Sequence, residues 1–250
     1  MDAVDELRLE VAQACRVLAM MGLVKEATGH VSARIPGTNE LVIRARGFDE
    51  TGLLFTRPED VIRADFDGHT TETREGVSLP QEFPIHGEIF KARPEVMCVV
   101  HAHPPAILRC GIAGVELKPI FGAFDPSAAQ IAAAGIPVYP RSITVTRPAL
   151  AQDMMAIMGE KEVCLMYGHG ITAVGSSIGA ATVRAIKMEA LAEISWDVSA
   201  RAPLREISDE DKEHLLGRAR AATGSGPRRP EPVWKYYQQL LGYRGLAIES

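Results

Sequence analysis

Apolar residues spaced three and four apart open the chain. Val4, Leu7, Val11, Cys15 and Leu18 mark one face of a helix over residues 3–21. Asp2 suits its N-cap and Gly22 its stop. The period then shortens. A glycine turn at Thr28-Gly29 leads into a strand through Pro36, a second strand spans 41–44, and a third, 61–66, ends in the hairpin signal Asp67-Gly68. A helix over 81–92 accommodates Pro84 in its first turn, which places Glu82 at or just before its N-terminus. The strand over 96–103 is apolar until it reaches His101 and His103, and Pro104 and Pro105 stop it. A short helix at 105–111 follows, then a small-residue helix at 126–134, a strand at 135–139 and a helix at 147–158. A strand at 163–167 meets Gly168-His169-Gly170 and pairs antiparallel with 171–175. The longest helix, 177–200, is apolar over most of its surface, which predicts burial on several sides or at a subunit interface. A polar helix at 209–221, a linker-like break at 222–227 and a short helix carrying Trp234, Tyr236 and Tyr237 complete the chain. Strands and helices alternate too irregularly for βαβ units, so the expected class is α/β, with a central mixed, largely antiparallel sheet and helices on both faces.

Composition narrows the partners. The 250 residues are 46% hydrophobic, enough for one large α/β domain or two small ones. A net charge of −5 gives no reason to expect nucleic acid or an anionic membrane. No apolar run reaches the roughly 18 residues of a membrane span. The acidic start, Asp2, Asp5 and Glu6, lacks a signal-peptide layout, so a cytoplasmic chain is expected. Cys15, Cys98, Cys110 and Cys164 are widely spaced and read as buried free thiols.

Candidate chemistry starts at the end of the 96–103 strand. Residues two apart on a strand point the same way, so His101 and His103 project together and form half of a metal site. His169, between two glycines at another strand end, is a third imidazole. Glu82 lies 101 − 82 = 19 residues before His101, about one helix and a turn, which lets a helix return the carboxylate to the histidines. Three imidazoles with a position left for carboxylate, water or substrate have the composition of a catalytic site. From spacing alone, ordinary core histidines stand as an equal alternative.

Glu82, His101-Ala102-His103-Pro104 and Gly168-His169-Gly170, with Thr28-Gly29-His30-Val31-Ser32-Ala33-Arg34, Thr56 to Asp60 and Gly68, resemble the class II aldolase/adducin family over about residues 8–200. The resemblance implies a three-layer αβα fold and a homotetramer with active sites between subunits. It also implies one divalent metal ion per subunit on His101, His103 and His169, with zinc, manganese or cobalt all compatible. Glu82 would be the acid/base group and would close onto the metal when substrate is absent. On this reading residues 1–205 form the catalytic domain, and 206–250 a helical extension that could cover a neighbouring active site.

The chain departs from the sugar-phosphate members where they bind phosphate. His30 stands at the family's Asn position, Arg46-Gly47 replaces a Ser/Thr-Gly pair, and Pro80-Gln81 replaces a Ser-Ser pair. Arginine suits a carboxylate fork, and proline removes a donor. The pocket therefore suits a flat, carboxylated small molecule without phosphate, unless Arg46 only pairs with Asp49 or Glu50. The pattern resembles the family's decarboxylase branch, which acts on hydroxylated aromatic or heteroaromatic dicarboxylates such as 3-hydroxy-2-methylpyridine-4,5-dicarboxylate. Tyr236 and Tyr237 would close over the ring, or simply dock their helix. The runner-up is a sugar-phosphate aldolase, epimerase or dehydratase. A metal-free, adducin-like interaction domain would lack the three histidines and the glutamate, which are all present.

Overall fold

The computed structural model describes residues 2–47, 50–70, 72, 75–222 and 232–248. Helix α1 (Ala3–Met20) is capped by Asp2, whose carboxylate accepts the N–H groups of Val4 and Asp5 at 2.8 Å. The strands are β1 (His30–Arg34), β2 (Glu40–Arg44), β3 (Val61–Asp65), β4 (Cys98–Ala102), β5 (Val138–Tyr139), β6 (Val163–Met166) and β7 (Gly170–Gly175). They form one sheet in the order β3-β2-β1-β4-β7-β6-β5, antiparallel except for the β5–β6 pair. The remaining helices are α2 (Phe83–Ala92), α3 (Pro105–Ala113), α4 (Pro126–Ala133), α5 (Pro148–Met158), α6 (Ile178–Ser199), α7 (Asp209–Ala222) and α8 (Pro232–Tyr243).

Alternation along the central strands builds two cores. Val31, Ala33, Val100, Ala102, Ile171 and Ala173 face one way, into a core with α1, α3, α6 and α8. Val99 and Val174 face the other way, into a core with α2 and α5. The molecule is thus a three-layer α/β fold around a mixed, largely antiparallel sheet. Helix α6 is buried on most of its sides, and its Glu189 carboxylate accepts the Ala106 and Ile107 N–H groups at 2.8 and 3.0 Å, capping α3 from across the layer. Trp234, Tyr237 and Leu241 of α8 belong to the α1/α6 core, with the indole lying on Gly179.

Two strands are shorter than their apolar runs. β4 ends at Ala102, not at 103, because the chain turns toward Pro104 and the His103 N–H donates to the Leu23 carbonyl at 3.1 Å instead of to the sheet. β5 is limited to Val138 and Tyr139, since Pro137 before it has no N–H to give. The four cysteines are free and buried. Among the described residues no helix is long and apolar enough to cross a membrane. Asp49 and all of the 222–227 break except Ala222 lie outside the described residues.

Candidate active site

The site is built on the α2/α5 face of the sheet. His30, His101 and Thr172 stand side by side on β1, β4 and β7, each the register partner of the next. Alternation places them opposite Val31, Val100 and Ala173, so one polar row lies back to back with one apolar row. His101 is fully buried. His103, past the strand end, turns back so that its Nε2 comes within 3.0 Å of the His101 Nε2. His169 arrives from the β6–β7 turn. Gly168 takes a left-handed φ of 59° there, and Gly170 packs so closely on the Ala102 carbonyl that a Cβ would overlap it. The three imidazole rings form a triangle with every centroid separation at 4.9 Å.

Glu82 closes the cluster. It is the N-cap of α2 but makes no side-chain cap bond. Its Oε2 lies 3.2 Å from His101 Nε2 and 3.4 Å from His169 Nε2, while Oε1 accepts the Val145 N–H at 2.8 Å. Burial pushes the Glu82 carboxyl upward, but hydrogen bonds from His101 and His169 outweigh it and hold the group well below the usual carboxylate range. Burial, then the neighbouring His101 and His169, pushes His103 down to about 3, so its imidazole is neutral. Ligand atoms of Glu82, His101, His103 and His169 all lie within 4.8 Å of one another. Imidazoles with converging Nε2 atoms are donors that a borderline cation binds. The 3.0–3.4 Å separations are close to the roughly 3.3 Å edges of a tetrahedron with metal–ligand bonds near 2.0 Å. The residues fit a divalent metal ion.

Arg46 reaches the rim of this cluster. Its backbone pairs with Ser78 in both directions at 2.8 Å, which ties the end of β2 to the segment leading into Glu82. Its Nη2 donates to the Gly29 carbonyl at 3.0 Å, next to His30. Nη1 is buried, makes no hydrogen bond among the described residues and lies 3.5 Å from Glu50. Glu50 already receives both terminal nitrogens of Arg44 and the Gly52 N–H, so two guanidiniums share one carboxylate and a positive charge is left over. Gly47 packs beside Gly76 and Val77 at the same edge. Gln81 is exposed beside Glu82, and no polar contact ties it to the cluster. Tyr236 and Tyr237 are not brought to the cluster of their own chain. Tyr237 is in the core on the opposite face of the sheet, and Tyr236, 58% exposed, packs edge-on against it.

Two further residues belong to the site. His86 on α2 is fully buried, with Nε2 2.6 Å from His30 Nδ1 and Nδ1 2.6 Å from the Ser32 hydroxyl. Burial, then the nearby His101, pushes His86 down to about 3; burial, then His86 and His101, takes His30 well below its ordinary value. Both rings are neutral. The sequence signal was available: His86 follows Glu82 by four positions on one helix face, and Ser32 follows His30 by two on one strand face.

Residues 9–196 match the family described as the Class II Aldolase and Adducin N-terminal domain. The chain is 42% identical over 212 residues to a 3,4-dihydroxyphthalate decarboxylase of Arthrobacter keyseri, covering 83% of this chain and 85% of that one. It is 39% identical over 216 residues to the enzyme of the same name from Rhodococcus jostii (strain RHA1), covering 85% and 88%. In fold it is similar to an aldolase II superfamily protein from Pseudomonas syringae, with a TM-score of 0.80 at 20% identity over 98% of this chain and 94% of that one.

Proposed function

Since the chain belongs to the class II aldolase and adducin family, as a carboxy-lyase of its decarboxylase branch, we propose that it removes carbon dioxide from a hydroxylated aromatic dicarboxylate of the 3,4-dihydroxyphthalate kind, using a divalent metal ion. His101, His103 and His169 would hold the ion, with zinc or manganese best suited to the donor set. When bound, such an ion supplies Lewis-acid stabilisation for the electron pair left on carbon as the C–C bond breaks. One observation carries the substrate class. The Arg46 guanidinium reaches the Gly29 carbonyl next to His30, and it shares Glu50 with Arg44, so the pair of arginines keeps a net positive charge at the rim of the histidine cluster that a second carboxylate of the substrate would neutralise.

The residues divide the work. Arg46 and His30 hold the carboxylate that is retained, and so orient the ring. Glu82, ionised and pinned at one oxygen by the Val145 N–H, can pivot its other oxygen. It takes the proton of the ring hydroxyl and delivers it to the carbon that carbon dioxide leaves; the product is then a phenolate, which takes from solvent the one proton that decarboxylation consumes. On this reading the extension over 206–250 serves a neighbouring chain of a homotetramer; the exposure of Tyr236 and the burial of Tyr237 on the sheet face opposite their own site support it.

The test is a substrate panel on metal-loaded protein. Carbon dioxide release from 3,4-dihydroxyphthalate is expected, and Arg46→Ser should raise its KM by about 10–100-fold at unchanged metal content. Aldehyde release from a sugar phosphate, without carbon dioxide from the dicarboxylate, would overturn the reading.

A further inference from the structure

The reaction described above uses His30 but not the two residues behind it, Ser32 and His86, which continue from it as a hydrogen-bonded chain. Its two links are each 2.6 Å long, and both Ser32 and His86 are 0% exposed, so water cannot serve either. With neutral rings, the protons can run in two directions. In the first, the Ser32 hydroxyl donates to His86 Nδ1, His86 Nε2–H donates to His30 Nδ1, and His30 keeps its proton on Nε2. In the second, His30 donates from Nδ1, His86 donates to the serine oxygen, and the serine hydrogen is left without an acceptor. No other hydrogen bond of the Ser32 hydroxyl exists among the described residues. The first direction leaves the His30 Nε2–H without a protein acceptor, but that nitrogen is not among the fully buried unpartnered atoms and can bond to solvent or substrate, whereas the Ser32 hydroxyl is sealed. A buried, unsatisfied hydroxyl costs about 1–3 kcal/mol, enough to favour the first direction by roughly 5- to 150-fold.

The far end of this chain faces the candidate site. The His30 ring stacks on His101 with centroids 5.0 Å apart, and its neighbour Gly29 holds the Arg46 guanidinium through its carbonyl. Nε2 of His30 makes no hydrogen bond among the described residues.

We propose that Ser32 and His86 are positioning residues that lock His30 in its Nε2–H tautomer, so that a substrate carboxylate meets a fixed donor beside Arg46. The use of that donor rests on the carboxylate reading above; the direction of the chain does not. A serine hydroxyl at the closed end therefore sets which ring nitrogen is a donor at the open end, two side chains away, without any change of charge.

Nitrogen-15 NMR of histidine-labelled, zinc-loaded protein reads the tautomer directly. His30 should show a protonated Nε2 and a bare Nδ1. In Ser32→Ala that preference should be lost. The KM for 3,4-dihydroxyphthalate should rise about tenfold, while kcat stays within about threefold and zinc content is unchanged. Ser32→Thr, which keeps the hydroxyl, should restore both tautomer and KM. A bare Nε2 in the parent protein, or a Ser32→Ala variant with parental tautomer and KM, would overturn the proposal. Should the parent protein fail to decarboxylate the dicarboxylate, the functional reading falls, and the tautomers of parent and Ser32→Ala still decide the direction of the chain.

Discussion

Val31, Val100 and Ala173 form one row across β1, β4 and β7; His30, His101 and Thr172 form the adjacent row on the other face. The same three strands carry both, one residue out of step. The first row asks only for volume and apolarity, and many side chains of suitable size could satisfy it. The second asks for particular atoms at particular places: an Nε2 against Glu82, an Nδ1 against His86. A change in the first row should therefore lower stability and leave the chemistry of the surviving folded molecules intact. A change in the second should do the reverse.

That contrast can be attacked from its strongest side. His101→Ala removes the ligand at the centre of the polar row, and metal content and turnover should both fall by at least about 100-fold. Elemental analysis showing a full complement of metal in this variant would end the assignment. Glu82→Gln should keep the metal and lose about 10²–10⁴ in turnover, since the amide cannot carry the proton; near-parental turnover would remove Glu82 from the reaction. Val100→Ala, on the dry row next to His101 in sequence, should cost roughly 1.5–3 kcal/mol in denaturant unfolding, with unchanged metal content and kcat. An altered metal affinity there would show that the two rows are coupled.

The last test reads a slope. His86 sits at about 3 in the folded protein, against about 6.5 when unfolded. Below pH 6.5 the unfolded chain binds a proton that the folded chain refuses. Stability should thus be complete above 6.5 and fall by up to about 1.4 kcal/mol per pH unit on the way down toward 3. In chelator-treated protein, His86→Gln should make that slope shallower, with His30 and His103 still contributing to it, and superimposable profiles between pH 6.5 and 4.5 would show that His86 contributes nothing to it.

How far such a site can be read from sequence depends on what marks each residue. His101 and His103 are two apart in an apolar run, and His169 is flanked by glycines, so local pattern alone singles them out. Glu82 was reachable because a helix and a turn separate it from His101. The sheet was legible for the same reason, since each strand is a short run bounded by Gly or Pro. The ends were less so: His103 left the strand because its N–H found the Leu23 carbonyl, a partner about 80 residues away. His86 gives a single histidine in an apolar helix, which looks like core until Ser32 and His30 are placed against it. The Val145 N–H that pins Glu82 carries no side-chain signature at all. Arg46 stood out as a residue type, but only the folded chain shows Glu50 already taken by Arg44.

The pairing of His30 with His101 has a consequence for how the chain can change length. One residue inserted within β4 ahead of His101 would turn that histidine toward α1 and α6 and swing a valine into its place against Glu82. Metal site and core would be lost together, from an insertion that leaves every original residue present. Loops of this protein can therefore lengthen or shorten by single residues far more freely than β1 or β4 can.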